Sequence, residues 1–267
     1  MGIRYLLSIV LLPALFTGSA QNPDNPFSDS HETKEMHLAV LGQWITFTNS
    51  QPSRLHFKYD GTLEVDFGDD RTVNVVSEYK IHRDTIFYYD KAGYKCQDNG
   101  KYLIYGNDHY LAFELIEDDC VGRVSLNMGY WVRPHFKASI STLNKSISQS
   151  SRPDDYLTRG RIYLTTGKLK KARKDFDVFI NKDPNNARAF INRAATQFPK
   201  DPEAVLRDCN RAVALEPGNK FGYYQRGLAL YESGEKDLAC DAFLKAIELG
   251  FSILKTAEYW KCYKYWE

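Results

Sequence analysis

The stretch YYQRGLALYESGEKDLACDAFLKAIELG, Tyr223 to Gly250, decides the fold of the C-terminal half of this chain. Its apolar residues recur at helical spacing, yet Gly227 and Gly234 interrupt it. A glycine inside a helix costs about 1 kcal/mol against alanine, so a helix that keeps one must need the missing side chain. The pattern recurs upstream. YLTRG starts at Tyr156, FINRA at Phe190 and YYQRG at Tyr223, spacings of 34 and 33 residues. Behind these starts come Ala172, Phe176 and Phe179, then Val205, Cys209 and Ala212, then Ala239, Phe243 and Ala246. Asp183-Pro184-Asn185-Asn186 and Glu216-Pro217-Gly218-Asn219 close the first two segments.

A period near 34 built as helix, turn, helix and Pro-containing turn resembles the tetratricopeptide repeat (TPR). On that reading Gly160 and Gly227 sit on the first helix of a pair, where the second helix crosses too closely for a side chain. Ala194 is the small equivalent in the middle repeat. Gly167 and Gly234 fall in the turn between the helices, where left-handed backbone suits glycine. The middle repeat departs from the pattern: its turn, FPKDPE, carries Pro199 and Pro202 and is one residue short. Its first helix should end early. Beyond Phe251, Ile253, Leu254, Ala257 and Trp260 share one helical face, which suits a helix closing the array.

Residues 41–136 read differently. RLHFKY and TLEVDF alternate apolar and polar residues around Asp60-Gly61, a signal for a two-residue hairpin turn. Further strand candidates are QWITFT, TVNVVSEYKIH, TIFYYD, KYLIYG, HYLAFELIE and GRVSLNM. So many short strands without intervening helices imply an antiparallel meander, and closing it into a barrel removes the exposed edges. Gly42-Gln43-Trp44 resembles the GxW of lipocalin-like calycin barrels, and the segment from Cys96 to Arg123 is similar to small lipocalin-like domains of secreted bacterial proteins. The resemblance implies that Trp44 plugs one end of the barrel against an arginine from near the last strand, either Arg123 or Arg133.

The fold class is therefore α+β with two domains: an antiparallel lipocalin-like β-barrel, then an all-α TPR solenoid of three helix-turn-helix repeats plus a C-terminal capping helix. The expected boundaries are a signal peptide at 1–20, a flexible leader at 21–40, the barrel at 41–136, a Ser- and Lys-rich linker at 137–152, and the TPR domain at 153–267. Its repeats run 153–186, 187–219 and 220–251, with the cap at 252–267. The signal reading rests on Arg4, the apolar run Tyr5–Phe16 and the small residues Gly18 and Ala20. Cleavage near Ala20 would release a secreted or periplasmic protein. No stable membrane insertion is expected, the run being too short to span a bilayer.

An oxidising compartment changes the reading of the five cysteines. The arrangement of Cys240 and Cys262 resembles TPR proteins of bacterial secreted origin and implies that they pair. A second pair, Cys96 with Cys120, is expected in the barrel. Cys209 stands in an apolar core slot and is expected to be buried and unpaired.

The net charge of +1 gives no global attraction to nucleic acid. No nucleophile elbow, P-loop, HExxH or GxGxxG occurs, and the expectation is a protein without catalysis, cofactor or metal. His82-Arg83-Asp84 lacks the rest of a kinase signature. The run KLKKARK, Lys168–Lys174, reads as a solvated helix face. What the repeat resemblance offers instead is a concave face lined by the first helices: Leu157, Arg161, Leu164, Arg188, Ile191, Asn192, Phe221, Tyr224, Leu228 and Tyr231. Aromatics mixed with arginine suit a protein or peptide partner. Leu157 and Phe221 stand where a chaperone-tail clamp needs lysine, so that ligand is not expected. The resulting expectation is an exported adaptor or scaffold; the alternative is a carrier or sensor holding a small lipophilic ligand in the barrel.

Overall fold

The computed structural model describes residues 39–48, 51–94, 96, 99–251 and 262. Residues 1–38, with the expected signal and most of the leader, and the expected capping helix, apart from Cys262, lie outside them. The chain divides into two compact units.

The first unit is a closed barrel in meander order, every neighbouring pair antiparallel. Its strands are β1 (Gly42–Thr48), β2 (Gln51–Phe57), β3 (Thr62–Phe67), β4 (Val75–His82), β5 (Thr85–Gly93), β6 (Gly100–Gly106), β7 (Tyr110–Glu117) and β8 (Tyr130–Val132). Alternation does the sorting: Ser53, Leu55 and Phe57 are buried on β2 while their neighbours are half-buried. Pairing keeps Leu55 opposite Trp44 and Val65, so one face of three adjacent strands turns inward together. Trp44, Trp131, Tyr79, Tyr88, Tyr102 and Phe57 are fully buried.

Two sequence expectations fail here. The hairpin after β2 has a three-residue loop, Tyr59-Asp60-Gly61, not a two-residue turn. The Lys58 N–H donates to Thr62 O at 2.8 Å, the Gly61 N–H donates to Lys58 O at 3.2 Å, and Gly61 has φ +84°. This is a turn closed by a left-handed residue, which glycine adopts without strain. Second, GRVSLNM is not the last strand. Val121–Asn127 forms a short helix, α1. Asp118 organises it: its Oδ1 accepts the Cys120 N–H at 2.8 Å, and the carboxylate accepts Arg123 Nε and Nη2 at 2.5 and 2.9 Å. A local ion pair of this kind outweighs a weak period-two pattern. The three residues of β8 close the barrel in its place.

The second unit is helical and takes in Asp118–Leu126, which hold all of α1 but its last residue, followed by α2 (Phe136–Ser150), α3 (Pro153–Thr165), α4 (Leu169–Lys182), α5 (Ala187–Ala195), α6 (Pro202–Leu215), α7 (Lys220–Glu232) and α8 (Lys236–Glu248). Asn186, Asp201 and Asn219 cap α5, α6 and α7, each side chain accepting a backbone N–H three residues on. Gly167 and Gly234 hold φ +70° and +84° in the turns after α3 and α7. As anticipated, α5 is short, nine residues against thirteen for α3 and α7.

The expected linker at 137–152 is instead the helix α2. Its composition hid a helical spacing: Ser139 and Leu143 are buried, and Ile140 packs on the apolar cluster shared by the first two repeats. No Gly or Pro breaks the run, and the chain leaves the helix only at Ser151, φ +48°, before Arg152-Pro153.

Candidate functional site

The glycines on the first helices answer the question raised by the sequence. A Cβ on Gly160 would lie 2.6 Å from Phe176 Cε1, and one on Gly227 would lie 2.5 Å from both Cδ1 and Cε1 of Phe243. Both rings are fully buried. In the middle repeat the trade is reversed: Ala194 replaces the glycine and Cys209 replaces the ring, and the two belong to one buried cluster with Val205 and Ala229. Burial pushes the Cys209 thiol up to about 12, so it is not a nucleophile at neutral pH.

A charged ladder runs beside this packing, and sequence reasoning missed it. Arg159 donates Nε and Nη2 to Asp175 at 2.8 and 2.6 Å; Arg193 does the same to Asp208 at 2.9 and 2.6 Å. Each arginine also reaches the preceding helix: Arg159 Nη1 donates to Asn144 Oδ1 at 2.6 Å, and Arg193 Nη1 to Asp177 Oδ1 at 2.9 Å. These hydrogen bonds hold both guanidinium groups charged, with pKa values above the ordinary arginine range. The signal was legible. Each Arg precedes the small residue of its first helix, and each Asp precedes the buried Phe176 or Cys209. Asn144 falls 33 residues before Asp177, and Leu143 the same distance before Phe176. Helix α2 thus fills the place of a second helix from an incomplete repeat ahead of the first.

The ten residues expected to line a partner face all lie on α3, α5 and α7. They do not share one environment. Leu157, Arg161, Ile191 and Asn192 are buried within the chain, each less than a tenth exposed. Leu157 and Ile191 belong to the apolar core. Leu164, Arg188, Phe221, Tyr224, Leu228 and Tyr231 are half-buried and keep surface to offer. Phe221 and Tyr224 stack on Phe251, with centroids at 5.3 and 4.7 Å. The side chains of Lys168, Lys170, Lys171, Arg173 and Lys174 are largely solvated, and Lys168 and Lys171 also sit over Tyr163.

In the barrel the open choice of arginine is resolved. Arg133 lies over Trp44, 3.6 Å from the ring centroid, and donates Nη1 to Leu41 O at 2.8 Å and Nη2 to Ala39 O at 3.2 Å. Trp44 Nε1 donates to Val40 O at 2.7 Å. Burial lowers the Arg133 pKa from its usual value. Gly42, at φ +92°, lets Arg133 Nη1 approach: a Cβ there would meet it at 3.2 Å. Arg123 instead pairs with the buried carboxylate of Asp118.

Cys240 and Cys262 form a disulfide. Cys96 and Cys120 are also disulfide-bonded, and Cys209 is free and buried. Among the described residues no group of three or more His, Cys, Asp or Glu could hold a metal, and no helix is long and apolar enough to cross a membrane.

Residues 222–249, which take in most of α7 and all of α8, match the family model described as Tetratricopeptide repeat. The helical unit is thus a TPR domain. The chain is 34% identical over 98 residues to Protein O-mannosyl-transferase TMTC3 of Homo sapiens, covering 35% of this chain and 11% of that protein. It is 30% identical over 91 residues to Small glutamine-rich tetratricopeptide repeat-containing protein 2 of Saccharomyces cerevisiae, covering 31% and 26%. The chain therefore spans about a tenth and a quarter of the lengths of these relatives. Among solved structures, it is similar to the first TPR of Spaghetti (RPAP3) bound to the HSP90 peptide SRMEEVD, at 23% identity and a TM-score of 0.41, over 44% of this chain and 96% of that one.

Proposed function

We propose that this protein is an exported, non-catalytic adaptor that docks a protein or peptide partner through the first-helix side of its TPR domain. The observation that carries the reading is the half-buried row Leu164, Arg188, Phe221, Tyr224, Leu228 and Tyr231. Aromatic side chains held by their own packing lose little entropy when a partner covers them. Leu157 and Phe221 are apolar where a chaperone-tail clamp needs charge, so the HSP90 peptide of the RPAP3 structure is not carried over. Export is supported by the N-terminal sequence pattern and by the disulfides. A lipocalin-like ancestry for the barrel is supported by its meander order and by Arg133 over Trp44.

The test is site-specific photocrosslinking in the native host. A photoreactive residue at Leu228 or Tyr231 should trap one discrete partner that the same probe at exposed Arg173 or Leu244 does not. Equal trapping at all four positions would refute the assignment of the face.

A second reading, a small lipophilic ligand in the barrel, has one observation in its favour. Trp131 is fully buried, pairs across from the interior residue Leu111, and its Nε1 has no hydrogen-bond acceptor. Native mass spectrometry of the whole protein tests it: a retained small mass supports the carrier reading, and the bare chain mass argues against it.

A further inference from the structure

Arg159, Arg193 and Arg226 occupy one position of the repeat, each just before the small residue Gly160, Ala194 or Gly227. The first two are saturated. Each holds an Asp carboxylate in the two-point geometry guanidinium prefers, and each reaches an oxygen on the helix before it. In the third repeat both acceptors are gone. The residue before Phe243 is Ala242, which is buried, and the residue matching Asp177 is Asn210, which is exposed. No described residue accepts a hydrogen bond from Arg226, and its Nε is buried without a partner. A guanidinium cannot relieve this by losing its proton, and a buried donor left unmade is costly. Part of Arg226 nonetheless remains in solvent. The third repeat keeps the cation of the ladder and has discarded the anion.

We propose that Arg226 is a receptor for a carboxylate brought from outside the repeat, which takes the place that Asp175 and Asp208 fill in the other two. The ligand class follows from those two: a planar carboxylate met by parallel N–H donors, carried by a small organic acid or by an acidic side chain of a bound segment. Arg226 shares α7 with Tyr224 and Leu228, but the proposal rests on the ladder of Arg159 and Arg193 and stands whether or not the row Leu164 to Tyr231 binds a partner.

The experiment uses full-length protein with 15N-labelled arginine. The Nε–Hε signal of Arg226 is identified by its loss in Arg226→Lys. Sodium acetate and a blocked Gly-Asp-Gly peptide are titrated separately, each against sodium chloride at matched ionic strength. The expected result is a saturable downfield shift of this signal with a carboxylate and none with chloride. A response to acetate alone assigns a small acid; a response to the peptide assigns an acidic segment. Ala242→Asp restores the internal partner and should abolish the response while moving the signal toward its saturated position. Should that variant not fold, Asn210→Asp supplies a competing carboxylate from the exposed side and should weaken the response. No carboxylate-specific shift with either probe, or an unchanged response in the folded aspartate variants, overturns the proposal.

Discussion

Gly227→Ala should destabilise the helical unit, although alanine is the better helix former. The gain in intrinsic propensity is about 1 kcal/mol. Against it stands geometry. The new Cβ would lie 2.5 Å from two carbons of the Phe243 ring and 3.0 Å from a third, where carbon pairs prefer roughly 3.5–4.0 Å. The ring has no exposed side to retreat to, being fully buried and packed against Tyr224 with centroids 5.9 Å apart. Overpacking of this kind costs about 1–3 kcal/mol, so the net loss should reach up to about 2 kcal/mol. The assay is urea unfolding of the full chain followed at 222 nm, which reports the helices. Gly218→Ala is the control, since nothing lies within 4 Å of a Cβ there. A sharper form copies the middle repeat into the third. Phe243→Cys alone should cost about 3 kcal/mol through lost burial. Combined with Gly227→Ala it should cost about 1 kcal/mol less than the two singles added, because the methyl group then enters the space the ring has left. A Gly227→Ala variant as stable as the parent, or strictly additive losses, would refute the reasoning.

Other outcomes follow from the same contacts. Asp208→Ala strands Arg193 beside a nearly dry position and should cost about 3 kcal/mol, whereas Asp177→Ala, which removes a half-exposed partner, should cost under about 1 kcal/mol; paired urea curves decide. Cys262→Ser opens the 22-residue separation closed by the Cys240 disulfide and should cost about 3 kcal/mol on the chain-entropy relation, seen as a lower unfolding midpoint of the helical signal. Cys209 should resist a maleimide in the native protein and react once unfolded. Its raised pKa also sets a sign. Between the unfolded thiol value of about 8.5 and about 12 in the fold, the unfolded chain releases the proton first. This contribution to stability is therefore intact below pH 8.5 and falls as pH rises, at up to about 1.4 kcal/mol per unit; stability of Cys209→Ala should lack that component of the alkaline slope.

What could be read from sequence was whatever repeats or alternates without a choice of partner. Phe57, Val65 and Tyr79 alternate because the barrel wall has two sides, and Phe176 and Phe243 recur with their glycines because helix crossing leaves no room for both ring and methyl group. Residues with several partners in reach were not legible in this way. Arg123 and Arg133 are equally placed in sequence to meet Trp44. Only the carboxylate of Asp118, five residues away and fully desolvated, removes Arg123 from contention. That same ion pair turns GRVSLNM from an apparent strand into α1. The partner face suffered from the opposite error. First-helix residues were assigned to it by position, but position does not say how tightly the repeats close, and Leu157 and Ile191 went into the core.

The helix α2 shows why composition misled where register would have served. A segment of Ser, Lys and Asn without aromatics looks like tether, and as an isolated fifteen-residue helix it would be marginal in water. It is held because a solenoid must end somewhere. Ile140 of α2 packs on the apolar cluster that holds Leu157, Tyr163 and Ile180, and terminal units of such arrays carry polar outer faces over a reduced apolar contact. Ser139 and Leu143 are that reduced contact, and Asn144 supplies to Arg159 the oxygen that Asp177 supplies to Arg193. The Ser-rich outer surface is what a terminal helix needs, and the 33-residue register is what identifies it. The same register, carried forward, finds Arg226 without its acid. A ladder that has been completed at its start by an uncharged asparagine, and left open at its third step, is not decaying uniformly along the chain. The first step keeps the Asp175 carboxylate and replaces only its outer oxygen with that of Asn144, whereas at the third step Ala242 and Asn210 stand in both acid positions and the Arg226 Nε is buried without a partner; this asymmetry is what a carboxylate from outside the repeat would correct.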